Sequence, residues 1–438
     1  MPDATVSADA TDATGSTDAP GSTDAPASLD GVDLGRPRAP LDAFLLDPAV
    51  LHLNHGSYGA CPRAVLAAQD AARARIEQAT MRYFVRDWAA DAALARAAAA
   101  AFVGADVDGF AFVPNVTTGV ATVLASLRLE AGDELLTTDH AYRACRNALD
   151  RVAAAAGARV VVSPIVTPVV DPRAPIDALL DRVTARTRLV LLDHVTSPTA
   201  LVLDAAALAR ALPARAELLV DGAHVPGMLD LDVRAVGATY YTGNFHKWTC
   251  SPKGAAFLWV APHRREGFHP LVTSHGATLP AAGTTRFRLE HDWTGTHDPT
   301  AYLCVPAALD EVARLGGGWP AVRARGHALA CAMARALSAQ LGADPIAPPA
   351  MLGSMAAVAV TLPDGADPLA VEAALLADGV EVPVIPGGPG GPGAPGAPGA
   401  IAPWPLVRVS AHLYNHTGDV ERLAAALRRH GVHGRRVA

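Results

Sequence analysis

Asn244-Phe245-His246-Lys247-Trp248-Thr249-Cys250-Ser251-Pro252-Lys253-Gly254-Ala255-Ala256-Phe257-Leu258-Trp259-Val260 holds both lysines of a chain of 438 residues. Every other member of its 36 lysines and arginines is arginine. Arginine stays protonated, whereas lysine can lose its proton and attack a carbonyl. A chain that keeps lysine only here points to a task that needs an amine. The plain alternative is a compositional drift toward Arg and Ala that two lysines have survived. What surrounds the stretch decides between the two, and it also decides the fold.

On both sides of the stretch, short apolar runs alternate with segments of helical period. Strands are predicted at 110–113, 134–137, 159–162, 188–193, 217–221, 238–242 and 255–260, and helices at 118–127, 142–156, 176–184 and 204–212. Strand, helix and strand at this spacing build an α/β fold, a mainly parallel seven-stranded sheet covered on both faces. Ligands of such sheets sit beyond the carboxyl ends of the strands.

Three apolar runs end there in polar groups. Leu189-Val190-Leu191-Leu192 runs into Asp193-His194, Leu218-Leu219-Val220 into Asp221-Gly222-Ala223-His224, and Tyr240-Tyr241-Thr242 into Gly243-Asn244-Phe245-His246-Lys247. Taken singly, Asp221 also reads as a cap or turn residue, and His194 and His224 as hydrogen-bonded structural histidines. Upstream, Phe110-Ala111-Phe112-Val113-Pro114 followed by Asn115-Val116-Thr117-Thr118-Gly119 is a strand opening into a helix. Unpaired N–H groups, two hydroxyls and a helix dipole make it a phosphate cradle, or else an ordinary capped start. An amine for an aldehyde, a carboxylate for a ring nitrogen and an anion cup are together what pyridoxal phosphate requires.

The chain resembles the class V group of fold-type I pyridoxal phosphate enzymes, which includes cysteine desulfurases, kynureninase-like proteins and isopenicillin N epimerase. The resemblance runs from about residue 41 to 427. It rests on Leu53-Asn54-His55-Gly56-Ser57, Asn115-Val116-Thr117-Thr118-Gly119, Asp221-Gly222-Ala223-His224, Asn244-Phe245-His246-Lys247-Trp248, Trp293-Thr294-Gly295-Thr296 and Arg408-Val409-Ser410-Ala411-His412-Leu413-Tyr414-Asn415, in that order. The segment His194-Val195-Thr196-Ser197-Pro198-Thr199-Ala200-Leu201-Val202-Leu203 is similar to the epimerase branch.

The resemblance implies roles for these residues. Lys247 takes the place of the Schiff-base lysine and Asp221 that of the partner of the pyridine nitrogen, while Lys253 is a turn or surface residue. Thr117, Thr118, Asn244 and His246 match phosphate-contacting positions, and Thr296 one that reaches the phosphate of a neighbouring subunit, implying a homodimer. Tyr142 falls where the family stacks a ring on the cofactor, with His140 as the alternative. His194 and His224 match contacts to the ring hydroxyl. Arg408, with His55, falls on the substrate side, where a guanidinium forks onto a carboxylate.

The implied chemistry is at the α carbon of an amino acid or amino-acid-bearing compound. An epimerase or racemase is favoured, with Lys247 as base and Tyr142 on the second face. Aminotransferase, carbon-sulfur lyase and a non-catalytic cofactor binder are the alternatives. A cysteine desulfurase needs a cysteine shortly before the substrate arginine, and 364–406 has none.

Composition sets the frame. At 45.0 kDa, with 50% hydrophobic residues and a net charge of -7, the chain can bury a large core. A large cofactor-binding domain is expected over 41–305 and a smaller α+β domain over 306–438, holding a Gly/Pro-rich loop at 386–405. Residues 1–40 read as a disordered tail, rich in Asp, Ala, Thr, Ser, Gly and Pro and poor in large apolar side chains. No signal-peptide pattern and no run of about 18 apolar residues occurs, so a cytoplasmic protein without membrane contact is expected. No basic cluster suggests nucleic acid, and five widely spaced cysteines without a Cys-x-x-Cys pair suggest neither disulfides nor a metal site.

Overall fold

The computed structural model describes residues 33–387 and 402–437. Most of the expected tail and of the Gly/Pro-rich loop lies outside the described residues. The predicted α/β architecture is present as a seven-stranded sheet of β1 (Phe110–Val113), β2 (Glu134–Thr138), β3 (Arg159–Ser163), β4 (Thr187–Asp193), β5 (Glu217–Gly222), β6 (Tyr240–Asn244) and β7 (Ala256–Val260). Their order across the sheet is β1-β7-β6-β5-β4-β2-β3. β7 runs antiparallel to both of its neighbours, β1 and β6, and all other neighbours pair in parallel.

β4 shows why the strands read as unbroken apolar runs. Leu189, Val190, Leu191 and Leu192 are all fully buried, because side chains alternate across the sheet and both faces are covered. Leu189 and Leu191 pack with Leu219, Val120 and Leu149 of one core. Val190 and Leu192 pack with Val220, Leu179 and Leu208 of the other. Each such leucine contributes roughly 1.5–3 kcal/mol of burial. Helices α1 (Val116–Ser126) and α2 (Arg143–Ala156) cover the first face.

A second, four-stranded antiparallel sheet has the order β9-β10-β8-β11, from β8 (Met355–Thr361), β9 (Val384–Ile385), β10 (Leu406–Ser410) and β11 (His433–Gly434). It is backed by the helices Trp319–Leu341 and Asp419–Arg429. Near the N-terminus, Leu51–His52 pairs in parallel with Val380–Glu381, which delivers residues 53–59 to the rim of the large sheet. All five cysteines are free and buried. Among the described residues, no helix is long and apolar enough to cross a membrane.

Candidate active site

A cavity of about 250 Å³ opens at the carboxyl ends of β4, β5 and β6. Lys247, just past β6, reaches into it, and its Nζ lies 3.1 Å from His224 Nε2. Burial, then the Arg408 charge, lower the Lys247 amine to about 8, although Asp221 and Asp193 pull the other way. The hydrogen bonds agree with this. Trp248 Nε1 donates to His224 Nδ1 at 3.5 Å, and burial followed by the Lys247 charge hold the imidazole well below its usual range. A neutral ring that accepts at Nδ1 carries its proton on Nε2, which then has only the lone pair of an unprotonated amine to donate to. The pocket therefore favours the nucleophilic form of lysine.

Asp221, at the end of β5, is 3% exposed. Its Oδ1 accepts from the Ala223 N–H at 3.0 Å and its Oδ2 from Cys145 Sγ at 3.3 Å. Burial raises this carboxyl above its ordinary range, because no guanidinium or ammonium is hydrogen-bonded to it. A cationic group of a ligand at this place would offset that cost.

The anion cup forms where β1 meets α1. Asn115 caps the helix, its Oδ1 accepting from Thr118 N at 2.9 Å and from Thr118 Oγ1 at 3.0 Å, while Asn244 Oδ1 accepts from Val116 N at 3.1 Å. Asn115, Val116, Thr117, Asn244 and His246 line the cavity. Burial, then Lys247, lower His246 to about 4, so it stands beside the cup as a neutral ring.

Arg408, on β10, does not line the cavity itself and stands behind Ser57 and Ser197, which do. It is buried, which lowers it to about 10, and its partners are neutral oxygens. One nitrogen donates to the Ser197 carbonyl, another to Asn54 Oδ1 at 3.0 Å and to Ser57 Oγ at 2.8 Å. Its Nε is buried without a partner. A buried guanidinium held only by neutral groups is suited to a carboxylate.

Other expected residues lie elsewhere. His194 bonds Tyr241 through Nδ1 at 2.9 Å and does not line the cavity. Alternation along the chain turns it away, because its neighbour Asp193 faces in. Asp193 is the residue that sequence reasoning left without a role, and the structure sets it in parallel register with Asp221. Tyr142 lines the cavity, whereas His140 is buried with Nδ1 on Thr199 Oγ1 at 2.9 Å. Ser57 and Tyr58, not expected, form part of the wall. Thr296 is exposed in a separate cavity with Thr294 and Pro114.

His55 is also outside the cavity lining. Its Nε2 donates to the Lys247 carbonyl at 3.0 Å and its Nδ1 accepts from the Tyr414 hydroxyl at 2.9 Å, so both nitrogens are committed beneath the lysine. His55, Cys250 and His412 place ligand-type atoms within 4.8 Å of one another. The two rings stack at 3.7 Å and 12°, however, so their in-plane lone pairs run side by side and do not converge on an ion. The segment is seated on the Lys247 loop by Gly59, whose φ is 71° and whose missing Cβ would fall 2.2 Å from the His246 carbonyl oxygen. Only glycine fits there.

A lysine, a buried carboxylate and a capped helix start around one cavity are the group types that an aldehyde cofactor requires. The Aminotransferase class-V family pattern matches residues 62–423, and the chain belongs to that family of pyridoxal 5'-phosphate enzymes. It is 35% identical to isopenicillin N epimerase of Streptomyces clavuligerus over 399 residues, covering 87% of this chain and 95% of that protein. It is 28% identical to L-cysteine desulfhydrase of Arabidopsis thaliana over 408 residues, 86% of this chain and 87% of that one. A solved complex of the cystine C-S lyase C-DES with cysteine persulfide superimposes with a TM-score of 0.72 at 21% identity, over 88% of this chain and 98% of that chain. That likeness concerns the fold. The cofactor is pyridoxal 5'-phosphate and the substrate an amino-acid-type small molecule.

Proposed function

We propose that the protein is an epimerase or racemase acting at the α carbon of an amino acid or of a compound that carries one. The observation that carries this reading is that two proton-bearing groups, Lys247 and the half-exposed Tyr142, approach one cavity from different elements. Lys247 comes from the end of β6 and Tyr142 from the start of α2. Similarity to isopenicillin N epimerase supports it.

When bound, pyridoxal phosphate withdraws electrons from the substrate's α carbon and so acidifies its proton. Asp221 keeps the pyridine nitrogen protonated, and Asn115, Thr117, Asn244 and His246 hold the phosphate, whereas Thr118, expected beside them, has its N–H and hydroxyl engaged by Asn115 and does not line the cavity. Arg408 takes the substrate carboxylate in a bidentate grip. Lys247, with an amine near 8, removes the α proton at working pH. Tyr142, whose hydroxyl burial pushes up, stays protonated and returns a proton from the other side. His55 bears on the Lys247 backbone as a positioning residue. We further propose a homodimer in which Thr296, exposed and outside its own chain's Lys247 cavity, serves the phosphate of the neighbour.

Carbon-sulfur lyase activity is the second reading, favoured by the likeness to L-cysteine desulfhydrase. Among the described residues no cysteine lines the cavity, which disfavours persulfide chemistry on the enzyme. Incubation with candidate L-amino acids and aminoacyl peptides in deuterated water separates the readings. Deuterium at the α carbon of a D-configured product supports epimerisation. Pyruvate with released thiol, or a keto acid with aminated cofactor, overturns it.

A further inference from the structure

Asp193 has no part in the chemistry above, yet it is buried in the same cavity. It lines the cavity and is 3% exposed. Its Oδ2 accepts from the Tyr142 N–H at 3.0 Å, while its Oδ1 is buried with no hydrogen-bond partner. Asp193 and Asp221 are register partners on the parallel strands β4 and β5, so their side chains leave the same face of the sheet next to one another.

The groups that face the pair are Tyr142 and Cys145 of α2 and Lys247 beyond β6. Cys145 donates its thiol proton to Asp221. Lys247 is the only cation among these, and its Nζ is turned to His224. Two adjacent ionised carboxylates in so dry a place would repel with little compensation. Burial first, then the Asp221 charge, push Asp193 well above the usual carboxylate range.

We propose that Asp193 is the proton-holding member of a carboxyl pair with Asp221: as a neutral acid it leaves Asp221 as the one charge facing the cofactor ring and holds the Tyr142 backbone in place. The proton, taken from solvent, sits on Oδ1, because Oδ2 is engaged as an acceptor. The pair then carries one negative charge, which matches one protonated ring nitrogen. The hydrogen bond to Tyr142 ties the placement of the stacking ring to the same group. This proposal rests on the reading of Asp221 as the partner of the pyridine nitrogen.

The test uses the full-length chain with cofactor removed and restored. Pyridoxal phosphate affinity is read by tryptophan fluorescence, ring placement by circular dichroism in the visible cofactor band, and the Asp193 proton by the infrared carbonyl stretch of a buried carboxylic acid at neutral pH. Asp193→Asn imitates the neutral acid, so cofactor affinity stays within about three-fold of the parent while the carboxylic-acid band disappears. Asp193→Ala leaves the Tyr142 N–H unpaired, so affinity falls roughly ten-fold and the visible dichroism changes. A carboxylic-acid band that survives in Asp193→Asn overturns the proposal, as does Asn binding as weakly as Ala, or both variants matching the parent. Asp221→Asn with unaltered cofactor affinity would instead sink the reading of Asp221, whatever the Asp193 variants do.

Discussion

The two ends of the large sheet carry buried carboxyl groups in opposite conditions. At the amino end, Glu134 is 1% exposed and is held by Arg159 and by the hydroxyls of Thr184 at 2.6 Å and Thr187 at 3.4 Å. Burial pushes it up, but Thr184 and Arg159 more than offset this and keep it below its usual range. Beside it, Asp133 accepts from the Glu130 N–H and from Arg188, and the first of these chiefly holds it low. At the carboxyl end, Asp193 and Asp221 have no arginine or lysine hydrogen-bonded to them, and burial raises both. One end stores its charges in completed pairs, and the other leaves them to be completed by a ligand. Perturbation without a counterion, in a cavity, marks the working end.

The largest break in this comparison comes at Lys247. Lys247→Ala and Lys247→Arg should both reduce turnover roughly 10⁴-fold and abolish the visible cofactor band, measured by steady-state kinetics and absorbance. Arginine keeps the charge but cannot become the nucleophile. Next, Asp221→Asn should lower kcat on the order of 100-fold with the apoprotein melting no earlier. Glu134→Ala should do the reverse, lowering stability by about 2 kcal/mol in urea titrations while leaving kcat per folded molecule unchanged. Equal behaviour of the two variants would dissolve the distinction between the ends.

Acid sharpens it further. Burial lowers His194 and His246 to about 4, from an ordinary value of 6.5. Both are neutral in the folded protein, so their contribution is intact above pH 6.5 and is lost as pH falls toward 4. The slope is about 1.4 kcal/mol per pH unit for each. The depressed carboxyls Asp133 and Glu134 begin to lose their contribution only below their unfolded range near 4. His194→Gln should therefore flatten the urea midpoint between pH 6.5 and 4, and Glu134→Gln only beneath that window. The smallest effect is expected at Lys253, which is exposed and donates to the Gly59 carbonyl at 2.9 Å. Lys253→Arg should keep activity within about two-fold, since a surface contact of this kind contributes little.

The seven strands were legible because doubly covered parallel strands leave uninterrupted apolar runs. The one displaced strand is instructive. Expected at 238–242, β6 spans Tyr240–Asn244, because Gly243 and Asn244 continue the ladder onto Phe257 and Ala256. Gly243 was placed beyond the strand, but a Cβ there would lie 2.7 Å from the Phe257 ring, so glycine is present for close packing. Lys247 and Asp221 were legible as strand-end residues facing one rim, and Tyr142 only through the family resemblance. Asp193 was not, since choosing it over His194 requires the face of the sheet and the register of β5. The commitment of His55 to Tyr414 was invisible too, as its partner is 359 positions away.

That separation bears on the order of assembly. Lys247 and His224, which touch, are only 23 positions apart, and the strands that carry them are neighbours in sequence. The proposed carboxylate grip joins Asn54 to Arg408 across 354 positions. Closing the longer loop carries the greater entropy cost and waits on the last strands of the chain. A growing chain thus can bring Lys247 against His224 well before it can join Arg408 to Asn54.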